Sequence, residues 1–237
     1  MADEQMIANA GTVTDADGNV YQTVKIGNQV WMTENLRVTK YSDGSAILLV
    51  TDSDLWRRIC SLTTPAYCYY KNMTNTDSIK KYGALYNWHV VNPANPKKIA
   101  PTGWHVPFDV EWDTLQNYLI AKGYNWDGTI TGNKIAKSLA AKTDWWTNST
   151  RGTIGCDLTM NNSSGFSALP GGYRGDDGAF SVQSVDGLWW SATEYGASAA
   201  CYRCLGCGHD SLNNGYGHLI RFNLTKSCGF SIRLVKD

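Results

Sequence analysis

The sequence predicts an α+β fold: short strands at both ends of the chain, one amphipathic helix near the middle, and long turn-rich connections. Three observations carry this. Val20 to Ile26 alternates apolar and polar residues, as a strand with one buried face does. Gly229 to Asp237 alternates as well, with Phe230, Ile232 and Leu234 on one face and Ser231, Arg233 and Val235 on the other. Between them, Trp112, Leu115, Tyr118 and Leu119 fall on one helical face. No internal repeat, low-complexity tract or linker divides the 237 residues, so residues 1–10 read as a tail and 11–237 as a single domain.

In chain order, Thr12-Val13-Thr14 is a strand before the turn Asp15-Ala16-Asp17-Gly18. Gly27-Asn28 then joins Val20–Ile26 to Val30-Trp31-Met32 as a hairpin. Asp15, Asp17 and Asn19 have the spacing of a calcium loop's start. No glutamate stands at its twelfth position, and a solvated turn is the better reading. Residues 42–80 are polar and mixed, a long surface excursion anchored by Trp56. Tyr82 to Val91, apolar with little charge, reads as a buried helix. A short strand at 101–107 leads into the helix that Asp109 caps and Gly123 ends. A second short helix is expected over 133–141, turns over 145–165, and a strand over 165–174 that ends in Gly171-Gly172, with 178–180 continuing the sheet. Gly187 to Glu194 is an aromatic strand.

Composition narrows function. Lys plus Arg equals Asp plus Glu, 21 each, so no broad field draws nucleic acid or an anionic membrane. The apolar fraction of 43% suits a packed core. No apolar run approaches the ~20 residues needed to cross a bilayer, and Met1 to Ala10 has no secretion-signal pattern. Ten Trp and thirteen Tyr bring core volume and, with Asn, Ser and Gly, the residue types of adaptable recognition surfaces. The seven cysteines are an odd number, leaving at least one unpaired or paired between chains. Cys60 and Cys68 are close enough in sequence to bridge, or are reduced and buried.

Tyr195 to Cys228 breaks the grammar. It follows neither a period of 2 nor one of 3.6, and it holds four cysteines and two histidines between two regular strands. A scaffold that frames an irregular, chemically mixed stretch is the arrangement expected of a presented binding surface.

YGALYNW (82–88), APTGWHVPFDVEW (100–112), GFSALPGGYR (165–174), WWSATE (189–194) and GFSIRLVKD (229–237) occur together and in order. Over nearly the whole chain, this set resembles the Fibrobacter succinogenes major paralogous domain family. That family is similar to C-type-lectin-like folds, including the formylglycine-generating-enzyme branch, so the resemblance implies small twisted antiparallel sheets, two main helices and long loops. A narrower resemblance is to the variable proteins of diversity-generating retroelements, whose Asn and Tyr codons are scrambled near the 3′ end of the gene. Cys201 to His209 and Asn213 to Asn223 look like scrambled copies of an Asn/Tyr-rich stretch; an ordinary divergent loop gives the same letters.

The expected function is therefore ligand recognition by a diversified surface over 195–228. Candidate binding residues are Tyr195, Cys201, Tyr202, Cys204, Cys207, His209, Asn214, Tyr216, His218, Ile220 and Phe222. The expected partner is a protein or glycan on another cell, with no cofactor, no nucleic acid and no membrane insertion; self-association stays open. The resemblance places the chain outside the cell or on a bacterial or phage surface. Two alternatives stand beside this. Cys201, Cys204 and Cys207 have thiolate-cluster spacing, with Cys228 as a fourth ligand and His209 or His218 for zinc. They also supply thiols for an oxidase like the formylglycine-generating branch. A strand would set cysteines three apart on opposite faces, which argues against a shared metal. The closing strand has no cysteine, and the calcium-dependent sugar motifs (Glu-Pro-Asn, Gln-Pro-Asp, Trp-Asn-Asp) are missing. The second alternative is a structural adhesin module with 195–228 buried. His89 and His105 read as satisfied framework histidines, and Glu111 and Asp113 as solvent-facing.

Overall fold

A computed structural model describes residues 9–206 and 217–237, with the backbone alone at Cys60 and Ser61. Thirteen strands and five α-helices are described. The first part of the chain holds β1 (Asn9–Thr14), β2 (Val20–Ile26), β3 (Gln29–Met32), β4 (Leu48–Leu49), α1 (Ser53–Ser61) and β5 (Ala66–Cys68). It continues with α2 (Thr76–Tyr82), β6 (Leu85–Tyr86), α3 (Trp88–Val91), β7 (Trp104–His105), α4 (Asp109–Ala121) and α5 (Ala136–Leu139). Then follow β8 (Tyr173–Arg174), β9 (Phe180–Ser181), β10 (Gly187–Glu194), β11 (Ala199–Leu205), β12 (Ile220–Thr225) and β13 (Val235–Lys236).

The α+β class holds, and the elements assemble into small sheets. One sheet runs β1-β2-β3-β13-β7, with the last strand between elements from the first half of the chain. A second runs β10-β11-β12, a third β4-β5-β6, and β8 pairs with β9. The run from Gly229 to Leu234 threads between the sheets. Phe230 bridges to Tyr86, Gly229 to Arg174 and Ser231 to Trp189. The amides of Met32 and Leu36 donate to the carbonyls of Leu234 and Ile232. Cys228 to Val235 is buried throughout, on both faces. Regular pairing of this closing stretch is confined to Val235–Lys236; its alternation separates two cores rather than core from solvent.

The first core gathers Leu188, Trp190, Phe230, Ile232 and Leu234 with Tyr86 and Trp88. The second lies under α4, where Trp112, Leu115 and Leu119 meet Trp31 and Phe166. The Trp31 and Trp112 rings stand 4.7 Å apart. The α4 reading thus holds, with one change: Phe108 is the cap residue and Asp109 the first helical residue. The Glu111 carboxylate accepts from the Phe108 N–H at 2.8 Å. Gly123, at φ +76°, follows the end of the helix as expected.

Other expectations shift. Residues 82–91 do not form one helix: Tyr82 ends α2, Leu85–Tyr86 pairs as β6, and only Trp88–Val91 is helical. A short apolar run fits a strand or a helix equally well, and pairing with β5 decides it. The expected helix at 133–141 shrinks to α5, and the expected strand at 165–174 to β8. The 42–80 excursion carries α1 and packs a third small core around fully buried Trp56. Arg174 joins that core to the body, its guanidinium 4.5 Å from the Trp56 ring centre and donating to Val50 O at 2.6 Å. Cys68 keeps a free, buried thiol, so the Cys60–Cys68 bridge does not form. Burial pushes that thiol up to about 12. In the first turn Asp15 accepts from the amides of Asp17 and Asn19 and from Tyr21 Oη, which leaves its oxygens satisfied within the turn.

Arg233 is the most exacting buried group. It donates to Phe166 O, to Ser167 O at 2.8 Å and to Asn35 Oδ1 at 3.2 Å, and stacks 4.4 Å from the Phe166 ring centre. Desolvation draws its pKa down to about 9, which still leaves it charged at neutral pH. Arg233→Leu orphans these acceptors at ~1–3 kcal/mol each. Urea unfolding should show a loss of at least ~3 kcal/mol, with a smaller loss for Arg233→Lys. A change under ~1 kcal/mol in the leucine variant would mean that the run is held by its apolar side chains alone.

Candidate functional site

The β10-β11-β12 sheet carries the stretch singled out in the sequence. Its two faces are read directly from the register. Leu188, Cys204 and Ile220 form one cross-strand row, and Trp190, Tyr202 and Phe222 the next. On the opposite face, Trp189, Arg203 and Arg221 line up. Residues 199–205 and 220–225 are therefore regular strands, not an aperiodic insert. β11 hid its period because most of its residues are buried on both faces.

The first face grades from core to solvent. Trp190 is fully buried, Tyr202 is half-buried, and Phe222 on the edge strand is 42% exposed. Their rings are in contact: Trp190–Tyr202 at 6.2 Å and Tyr202–Phe222 at 5.9 Å, with Phe230 beneath Tyr202 at 4.7 Å. Leu224, 37% exposed, extends the strip along β12. Tyr195, 58% exposed, sits at the β10–β11 turn, where residues 194–198 are all exposed. That turn is clamped from below. Lys226 is buried; its Nζ donates to Ala197 O at 2.8 Å and pairs with Glu194, and its amide donates to Ser198 O.

The second face is polar and locked to α4. Arg203 is buried and donates to Asp109 Oδ1 at 2.6 Å, to Asp109 O at 3.1 Å and to Asp113 Oδ1 at 2.7 Å. Arg221, directly opposite Arg203 in register, donates to Asp109 Oδ2 through Nε. Two like charges facing across strands repel; one carboxylate between them, an oxygen for each, removes the repulsion. The start of α4 is fixed to β10 as well: the Asp109 amide donates to Thr193 Oγ1 at 2.8 Å, and the Ala192 amide to Pro107 O at 2.9 Å.

The structure divides the candidate residues. Tyr195 and Phe222 are exposed, and Tyr202, His218 and Ile220 are half-buried. Cys201 and Cys204 are fully buried, on opposite faces of β11, and neither is available to a ligand. Cys207, His209, Asn214 and Tyr216 lie outside the described residues. Burial, and then the nearby Asp109 charge, push the Cys201 thiol up, away from thiolate character. Among the described residues no three His, Cys, Asp or Glu side chains converge on a metal position.

Sequence reasoning missed Asp109, Asp113, Arg203, Arg221 and Lys226. Asp109 passed as a helix cap and Asp113 as a solvated carboxylate; only strand pairing sets the two arginines opposite each other. Glu111 likewise does not simply face solvent. It accepts from His105 Nε2 at 2.8 Å, while Asp237 contacts Nδ1 at 2.6 Å, so His105 is the satisfied edge histidine expected.

Asp109→Ala leaves Arg203 charged and buried with its main partner gone, at a cost of ~3–5 kcal/mol by chemical denaturation. Asp54→Ala, which breaks the exposed Arg57–Asp54 pair, should cost under ~1 kcal/mol. Equal effects from the two would mean that α4 does not depend on the ion pair.

Comparisons with known proteins agree on one point. No curated protein and no solved structure matches the chain. The family model described as the Fibrobacter succinogenes major domain matches residues 24–236, nearly the whole chain. With the ordered motifs and the α+β architecture, that coverage makes this chain a member of the Fibrobacter succinogenes major domain family.

Proposed function

We propose that this domain is a ligand-recognition protein, a C-type-lectin-like scaffold that displays a diversified C-terminal surface toward a protein or glycan on another cell. The carrying observation is the contrast within one sheet. Tyr195, Phe222 and Leu224 are exposed large hydrophobics at its turn and open edge, while the backing face is pinned to α4 by Arg203 and Asp109. Exposed aromatic and aliphatic anchors on a rigid support are what binding hot spots are made of.

The geometry also narrows the positions at which diversification is affordable. Residues 195–198 and 221–224 face solvent, whereas 201 and 203–205 are core. Variation at the first set changes a surface; at the second it costs a cavity or an orphaned charge. A thiol oxidase would need an accessible thiolate pair, and Cys201 and Cys204 are buried on opposite faces of β11.

Displayed libraries provide the test. A library randomised at Tyr195, Ala197, Ser198, Phe222, Asn223 and Leu224 should stay folded and yield binders when selected on protein and glycan arrays. Truncating Phe222 in a selected binder should weaken it ~30-fold or more and change stability by less than ~0.5 kcal/mol. Tyr202 is a poor probe, because its ring packs on Phe230. A library that unfolds as often as one randomised at Cys201, Arg203 and Cys204 would sink the reading. So would full affinity after loss of Tyr195, Phe222 and Leu224 together.

A further inference from the structure

At the margin of this surface, where the chain enters β12, a cavity of about 190 Å³ opens between Trp126, the 150–153 loop and His218. We propose that this cavity binds the carboxylate of an acidic sugar unit of the uronic-acid type. The proposal deepens the recognition reading, on which its biological sense rests, by giving one part of the surface a ligand class.

The charges point to an anion. Arg151 is exposed at the rim, and no carboxylate lies within ion-pair distance of it among the described residues. Its guanidinium stacks over the Trp126 ring, 5.3 Å from the centroid. Stacking holds the guanidinium plane and leaves its N–H edge free to fork a planar carboxylate. Lys134 also lines the cavity, with its Nζ 2.6 Å from Asp127 Oδ2. The bonds from Lys134 and Thr129 hold Asp127 down at about 2, so it stays an anion and balances Lys134. Arg151 is left as the uncompensated charge. Burial, and then the Lys134 charge, push His218 down, so near neutral pH its ring is uncharged and offers a polar edge.

The shape points to a single ring. Sites for drug-sized ligands run from roughly 300 Å³ upward; this cavity is smaller. Gly152, at φ +87°, brings the loop against Trp126, and a Cβ there would meet the indole at 2.4 Å. Gly217 in turn comes close to the Gly152 carbonyl, 3.2 Å from where its own Cβ would stand. These two glycines let indole, loop and incoming strand converge. Thr150 adds a polar group to the lining, as a hydroxylated ring requires.

The test is an NMR titration of the whole domain with glucuronate, glucose and inorganic sulfate, read at the Trp126 indole N–H and the His218 ring. Glucuronate should shift both with a millimolar Kd, and glucose and sulfate should shift neither. Arg151→Gln, an exposed change, should weaken glucuronate at least ~10-fold, and Phe222→Ala should leave it unchanged. No response to glucuronate, an equal response to glucose or to sulfate, or unaltered binding in Arg151→Gln would overturn the proposal. The recognition reading is tested separately: libraries that bind through Phe222 in a domain silent to glucuronate would keep that reading and remove this one.

Discussion

A charged side chain at the centre of the molecule constrains everything around it. Arg233 lies in a stretch whose residues are buried on both faces, so its guanidinium cannot reach water. Leaving any of its donors unmet would cost more than most single contacts return. The chain resolves this by bringing three separate segments to it: Asn35 after β3, the Phe166–Ser167 loop, and the Met32 carbonyl at the end of β3. The Asn35 oxygen that it shares also accepts from Trp189 Nε1 at 2.9 Å. One arginine thus couples the five-stranded sheet, the loop above α5 and the strand that begins the recognition sheet. The position of β10 is a consequence of how Arg233 is satisfied.

The same logic recurs one layer out. Arg203 is as buried as Arg233, but its partner is a carboxylate on α4, and the exposed Arg221 shares that carboxylate. Replacing such a cluster by apolar residues is often neutral, whereas removing one member is not. The cluster is therefore best understood as fixing the orientation of the sheet on the helix. The price is that Asp109 and Arg203 cannot vary independently.

Much of the fold was legible in the sequence where local pattern and burial agree. The β2–β3 hairpin, α4 with Gly123 beyond its end, and Trp56 as an anchor could all be read because one face of each element is buried. The failures share a cause. β11 reads as noise because Cys201, Arg203 and Leu205 are buried as fully as Ala200 and Cys204. Arginine in such a strand looks like a surface residue until its carboxylate, some ninety positions earlier, is known. The run from Tyr82 to Val91 failed because short apolar segments satisfy two periods at once. Of the candidate surface, Tyr195 and Phe222 were legible as large residues in a polar stretch. The two cysteines were not, because free cysteine behaves as a small hydrophobe and its spacing imitates a ligand set.

The edge of the recognition sheet gives the remaining step. An open edge strand with apolar side chains invites pairing with another chain, and proteins usually blunt such edges with charge, bulges or cover. Here β12 is the outer strand, and Ile220, Phe222 and Leu224 occupy its apolar face. The charge that might blunt it, Arg221, is turned to the opposite face and drawn onto Asp109. Folding does not require Phe222 or Leu224 to be large and apolar, since both lie largely outside the core. A hazard that the fold does not need, set on a support held by two layers of buried arginines, is most economically explained by selection for contact with something else.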